Sequence, residues 1–186
     1  MRKTSNELCV IVGAMTLMLM LVVPEIVAIL GTEEYVTAIW IVPPILLGIY
    51  FSFCYGLFSN VEFYYSRTKN VAFATTVGAG LSLVLNFILL PRLGFISAGY
   101  TSLICYLVFM LLHYRFMMKI CVEELDRQNF YDIKFIWLSC LALFVVMCVC
   151  LLSFNLSFVY RYVVLLVIVL LFIKNKNRII YQFKLK

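Results

Sequence analysis

Few side chains in this chain can bind, transfer or coordinate anything, and they lie in apolar surroundings. Glu25 follows Pro24 within LMLMLVVPEIVAIL, Asn86 interrupts LSLVLNFILL, and Tyr100 and Thr101 open SAGYTSLICYLVF. An acid at membrane depth costs a few kcal/mol unless it is hydrated, paired or protonated. Glu25 therefore reads either as an interfacial group reaching outer headgroups or as part of a water-filled pathway. Asn86 reads as an interhelical hydrogen-bonding group or as a pathway ligand. Tyr100 and Thr101 extend the same candidate substrate pathway.

Other chemistry finds no set of residues. There is no phosphate loop, no paired metal-ligand spacing and no Ser/His/Asp set, so no catalytic residues are expected. The seven cysteines form no CxxC pair and mostly sit inside apolar runs, where they pack as small hydrophobes. His113 is the single histidine and is read as standing at a helix end, against a metal cluster. No metal and no cofactor is expected, and the reading is not that of an enzyme.

The elements that must position these residues are membrane spans. The chain is 65% hydrophobic and only 13% charged, with a mean hydropathy of +1.06, whereas soluble domains carry about 25% charge. A bilayer core takes about 20 apolar residues to cross as a helix. Six stretches qualify: 8–30, 37–59, 71–90, 96–114, 135–153 and 157–173. The expected fold is all-α, a polytopic membrane bundle of about six transmembrane helices forming one domain, 1–186.

Basic residues punctuate the spans without interleaving aromatics along one face, which favours membrane topology and excludes nucleic acid as a partner. With the N-terminus inside, thirteen of the fifteen Lys and Arg fall on the inner side, leaving Arg92 and Arg161 outside. The expected topology is N-in and C-in. In YYSRTKN, between spans two and three, Arg67 and Lys69 are topology anchors and Tyr64 and Tyr65 belong to an interfacial aromatic belt. Arg2 and Lys3 before an apolar run resemble a signal peptide, but 8–30 is too long for one and is read as a retained span. The segment 113–134 is either an amphipathic helix on the inner leaflet or a linker with an extended helix end.

Two stripes of small residues recur at intervals of four: Gly48, Ser52 and Gly56 in span two, then Ala74, Gly78 and Ser82 in span three. Residues four apart share a helix face, and small faces let backbones approach closely in lipid. The expectation is helix packing between spans two and three, compatible with sliding or lining a cavity. Pro43 and Pro44 in IVPPILLG are expected to bend span two. No Lys or Arg lies at mid-membrane, so cations for an anionic lipid substrate are not expected in this chain.

Two stretches carry a family resemblance: PEIVAILGTEEYVTAIWIVPPILLGIY and EFYYSRTKNVAFATTVGAGLSLVLNFILLPRLGFISAGYTSLICYL. A helix ending near Gly31 and Tyr35 leads to a polar turn with Thr68 and Lys69. A helix closing on Asn86 and Pro91 follows, then Gly94, Ala98, Thr101 and Ser102 open the next. Over roughly residues 8–115 this resembles the C-terminal half of the polysaccharide flippases of the multidrug/oligosaccharidyl-lipid/polysaccharide exporter superfamily. The last two helices match only in hydropathy.

The resemblance implies one lobe of a two-lobe flippase of the bacterial inner membrane. Such flippases pass undecaprenyl-pyrophosphate-linked oligosaccharide, as used for O-antigen or capsule, across the bilayer by alternating access. Membrane lipid, lipid-linked oligosaccharide, and a complementary N-terminal lobe or a homo-oligomer are the implied partners. Full members have about twice as many helices, and the first lobe has no counterpart here. A non-transporting membrane subunit, a truncated remnant, and a small unrelated carrier or channel stand as alternatives.

Overall fold

The computed structural model describes residues 2–31, 33–124 and 130–154. Five α-helices run through them: α1 (Arg2–Leu30), α2 (Val42–Tyr64), α3 (Thr68–Leu93), α4 (Ile96–Glu124) and α5 (Ile133–Ser153). All five are long and apolar enough to cross a membrane. The protein is a multi-pass membrane protein built as a helical bundle. The sixth expected span, 157–173, lies outside the described residues.

Helix boundaries differ from the hydropathy reading where chain chemistry intervenes. IVPPILLG does not bend a helix. A 3-10 segment (Glu33–Trp40) leads into α2, and the two prolines occupy its first turn. That turn's N–H groups have no intrahelical partner, so proline loses nothing there and its fixed φ suits the start. Pro24 and Pro91 are carried inside α1 and α3. The extended helix end is the correct reading for the segment after His113, since α4 continues to Glu124.

YYSRTKN is the close of α2 and a tight turn into α3. Ser66 takes φ +56°, which lets the Arg67 N–H reach back to the Glu62 carbonyl at 2.8 Å. That 6→1 bond closes the helix as a left-handed cap. Arg67 also pairs with Glu123 (2.9 Å) and Glu124 (3.2 Å) at the end of α4. All three are substantially exposed, so the pairs contribute about 0–1 kcal/mol each; their value is in register, tying the α2–α3 turn to the end of α4. Lys69, two residues on in the first turn of α3, is exposed. Asp132 caps α5, accepting from the Phe135 N–H at 3.3 Å.

The α2–α3 turn, the end of α4 and the start of α5 all lie at one end of the bundle. Tyr65 packs edge-on against Phe130, and the Tyr131 hydroxyl donates to the Leu57 carbonyl at 2.9 Å. Burial pushes the Tyr131 phenol above its ordinary pKa, so it keeps the proton it donates. This is the basic end, holding Arg67, Lys69, Lys119 and Lys134; Arg92 lies at the other end, with the close of α3.

α2 is the hub. It packs chiefly on α4, then on α1 and α5, while α3 docks almost entirely on α4. The core joins Met20, Tyr50, Phe58, Met110, Ile136 and Met147 with most of the cysteines. Cys54 Sγ lies 3.9 Å from Cys140 Sγ, and all seven cysteines are free. Apolar residues on the outer faces, such as Met18, Ile29, Leu83 and Phe87, are exposed. In a bilayer that surface meets acyl chains.

The small stripes correct the expected pairing of spans two and three. Gly48 faces Leu103 and Tyr106, and Gly78 faces Phe109, all on α4. α2 and α3 touch only marginally. Gly48 and Gly78 each take up a large side chain of the same helix, so bulk on α4 fills the gaps that the two glycines leave. Ala74 is buried beside Gly78, Ser52 and Ser82 are half-buried, and a Cβ on Gly56 would meet nothing within 4 Å.

Candidate functional site, a buried acid–imidazole pair beside a groove

The strongest polar feature of the bundle involves one residue read as peripheral and another not singled out at all. His113 does not stand at a helix end. It lies inside α4, 2% exposed, with Nδ1 2.6 Å from Oε1 of Glu62 on α2, which is 0% exposed. Two lone pairs at that distance would repel, so a proton lies between them. Oε2 of Glu62 is buried and has no hydrogen-bond partner.

Local sequence explains the geometry. Glu62 falls seven residues after Tyr55, and His113 four after Phe109, so each pair shares a helix face. The rings of Tyr55, Phe109 and His113 stack: Tyr55 lies 5.3 Å from His113 at 18° and 5.4 Å from Phe109 at 29°. Tyr106 stacks on Tyr55 at 6.5 Å and 12°. These aromatic faces exclude water from the pair on one side. A buried charge that is paired but half-satisfied is costly, so this constellation is a candidate for function as much as for packing.

On the other side of the aromatic stack is a groove between α3 and α4 with a volume of about 230 Å³. Thr75, Ser82 and Ser102 contribute hydroxyls to its lining, and Gly78, Tyr106 and Phe109 form part of the wall. Phe109 thus faces the groove and also stacks on His113. The small stripe of α3 lines this cavity as well as packing the helix, because the glycine and serine leave space around the ring.

The expected pathway residues are not brought together. Asn86 Oδ1 accepts from the Thr101 hydroxyl at 3.0 Å, and its amide donates to the Ser82 carbonyl at 2.9 Å. It joins α3 to α4, in line with an interhelical role. Tyr100 is half-buried on α4, and Glu25 is half-buried on α1, a helix that does not pack on α3. In the double-mutant cycle Asn86→Ala with Thr101→Val, the coupling should be about 0.6 kcal/mol, the usual size for such bonds in bilayers. Reversible unfolding in bicelles measures it.

The sequence carried one signal for the missed pair: an acid and a histidine, each close to the basic end of a long apolar span. Spacing alone does not pair them, because 51 residues separate them and their helices are not consecutive. Among the described residues no group of three or more His, Cys, Asp or Glu is placed to hold a metal ion. Set against protein-family models, curated proteins and solved structures, the chain matches none of them.

Proposed function

We propose that the chain is one lobe of a polysaccharide flippase, working with a complementary lobe to move undecaprenyl-pyrophosphate-linked oligosaccharide across the bacterial inner membrane by alternating access. The support comes from the order of residues through YYSRTKN, NFILLPRLGF and SAGYTS, joined to one structural observation. α3 is held almost solely by α4 and leaves a hydroxyl-bearing groove open along its flank. A second lobe, or a second copy of the chain, closing on that flank would convert the groove into part of an enclosed passage. The absence of mid-membrane cations in the described spans fits a division of labour in which the other lobe holds the pyrophosphate.

Complementation tests the reading. The chain is co-expressed with the N-terminal lobe of a polysaccharide flippase in a strain lacking its own, and surface polysaccharide is measured. Restoration by the pair, and by neither part alone, is the expected result. If the pair inserts and co-purifies yet restores nothing, the transport reading fails and a non-transporting subunit takes its place.

A further inference from the structure

We infer that Glu62 and His113 form a proton-binding site whose occupancy sets the packing of α2 on α4 at the basic end of the bundle. The proton between Nδ1 and Oε1 leaves the pair, with a neutral imidazole, carrying one negative charge. Both residues are shielded from solvent, and Oε2 has no partner. A carboxylate oxygen in that state lacks the hydrogen bonds that stabilise its charge. A second proton on Oε2 makes the pair neutral and suits it to a dry interface. Loss of that proton leaves a buried net charge that demands water, and water reaches it by loosening α2 from α4.

The neighbouring ionisable groups leave this task to the pair. On α2, Tyr55 lies face-on to the imidazole. The Arg67 guanidinium is held by Glu123 and Glu124 of α4. Tyr131, ahead of α5, donates to the Leu57 carbonyl. α4 also carries Tyr114, half-buried, with Arg115 and Lys119, both exposed. Lys69 of α3, Asp132 before α5, Lys134 of α5 and Arg2 and Lys3 of α1 are exposed, and Glu7 of α1 is half-buried. Phe109 carries any movement of the imidazole to the groove, since it stacks on His113 at 6.4 Å and fills the notch at Gly78.

Hydrogen exchange of the full chain in nanodiscs, followed from about pH 5 to 8, reads the site without any transported substrate. It therefore stands or falls separately from the transport reading. Opening that releases one proton grows about tenfold per pH unit while the closed pair stays loaded. Amides at the end of α2 and in α4 around His113 should show that slope beyond the chemical one. Amides where α1 meets α5 should show the chemical slope only. Infrared difference spectra should contain a protonated-carboxyl band at low pH that Glu62→Gln removes, and Glu62→Gln should abolish the extra slope. Equal slopes at both places in the unmodified protein overturn the inference, as does a missing carboxyl band. Because the decisive contrast is internal to the unmodified chain, a poorly folding variant does not blunt it.

Discussion

Removing either half of the buried pair should cost the bundle about 3–5 kcal/mol, the usual penalty for leaving an uncompensated buried group. Glu62→Ala leaves an imidazole facing a void on α4. His113→Ala leaves a carboxyl with neither oxygen partnered, since Oε2 already has none. The interface affected is the principal one, between α2 and α4, so the loss should spread to the whole fold. Replacing both together, Glu62→Leu with His113→Phe, should recover most of the stability. Packed apolar groups of similar volume often equal or exceed a buried ion pair, and the phenyl ring keeps the stack on Tyr55 and Phe109. Reversible unfolding in bicelles or by steric trapping measures all three. Single variants within about 1 kcal/mol of the parent would show that water already reaches the pair, contrary to its 0–2% exposure.

The second large effect is expected at Gly78. A Cβ there would lie 2.2 Å from Cζ of Phe109 and 2.6–2.7 Å from both Cε atoms. Moving the ring aside breaks its stacking on Tyr55 and its contact with His113. Gly78→Ala should therefore separate α3 from α4 or force Phe109 off its rotamer, at about 1–3 kcal/mol. α3 has little other attachment, so the helix should lose its dock, and crosslinking between α3 and α4 should fall with stability. Phe109→Leu should restore much of the loss, because removing the ring atoms relieves the overlap. Failure of that rescue would mean that Gly78 serves the backbone of α3 and not the passage of the ring. At Gly56, where nothing lies within 4 Å, alanine should be tolerated.

Much of the fold was legible because membrane spans are dictated locally. A long apolar run must satisfy its backbone polar groups internally, so length and hydropathy alone specify helices. Five of the six expected spans lie among the described residues as helices, with their order and polar turns. The basic residues of YYSRTKN, read as topology anchors, fall at the turn between α2 and α3, and of the two readings of Asn86 the structure shows a hydrogen bond between helices. IVPPILLG misled because a proline inside a hydropathy window looks like a kink; only the true helix start shows that it needs no donor. Small stripes identified faces that pack, but not which helix they meet.

Partnership is what the tertiary structure alone decided. Lipid supplies no hydrophobic drive to bring particular helices together, so choice of neighbour rests on shape and on a few hydrogen bonds. α2 passes over its sequence neighbour α3 and settles on α4, whose Leu103 and Tyr106 fill the gap that Gly48 leaves, while Phe109 of α4 fills the one at Gly78 of α3. That choice brings Glu62 to His113. The sequence by itself determined that the chain crosses the membrane, roughly where, and which end is basic. Which acid met the single histidine, out of reach of water, followed only from the packing of side chains distant in the chain.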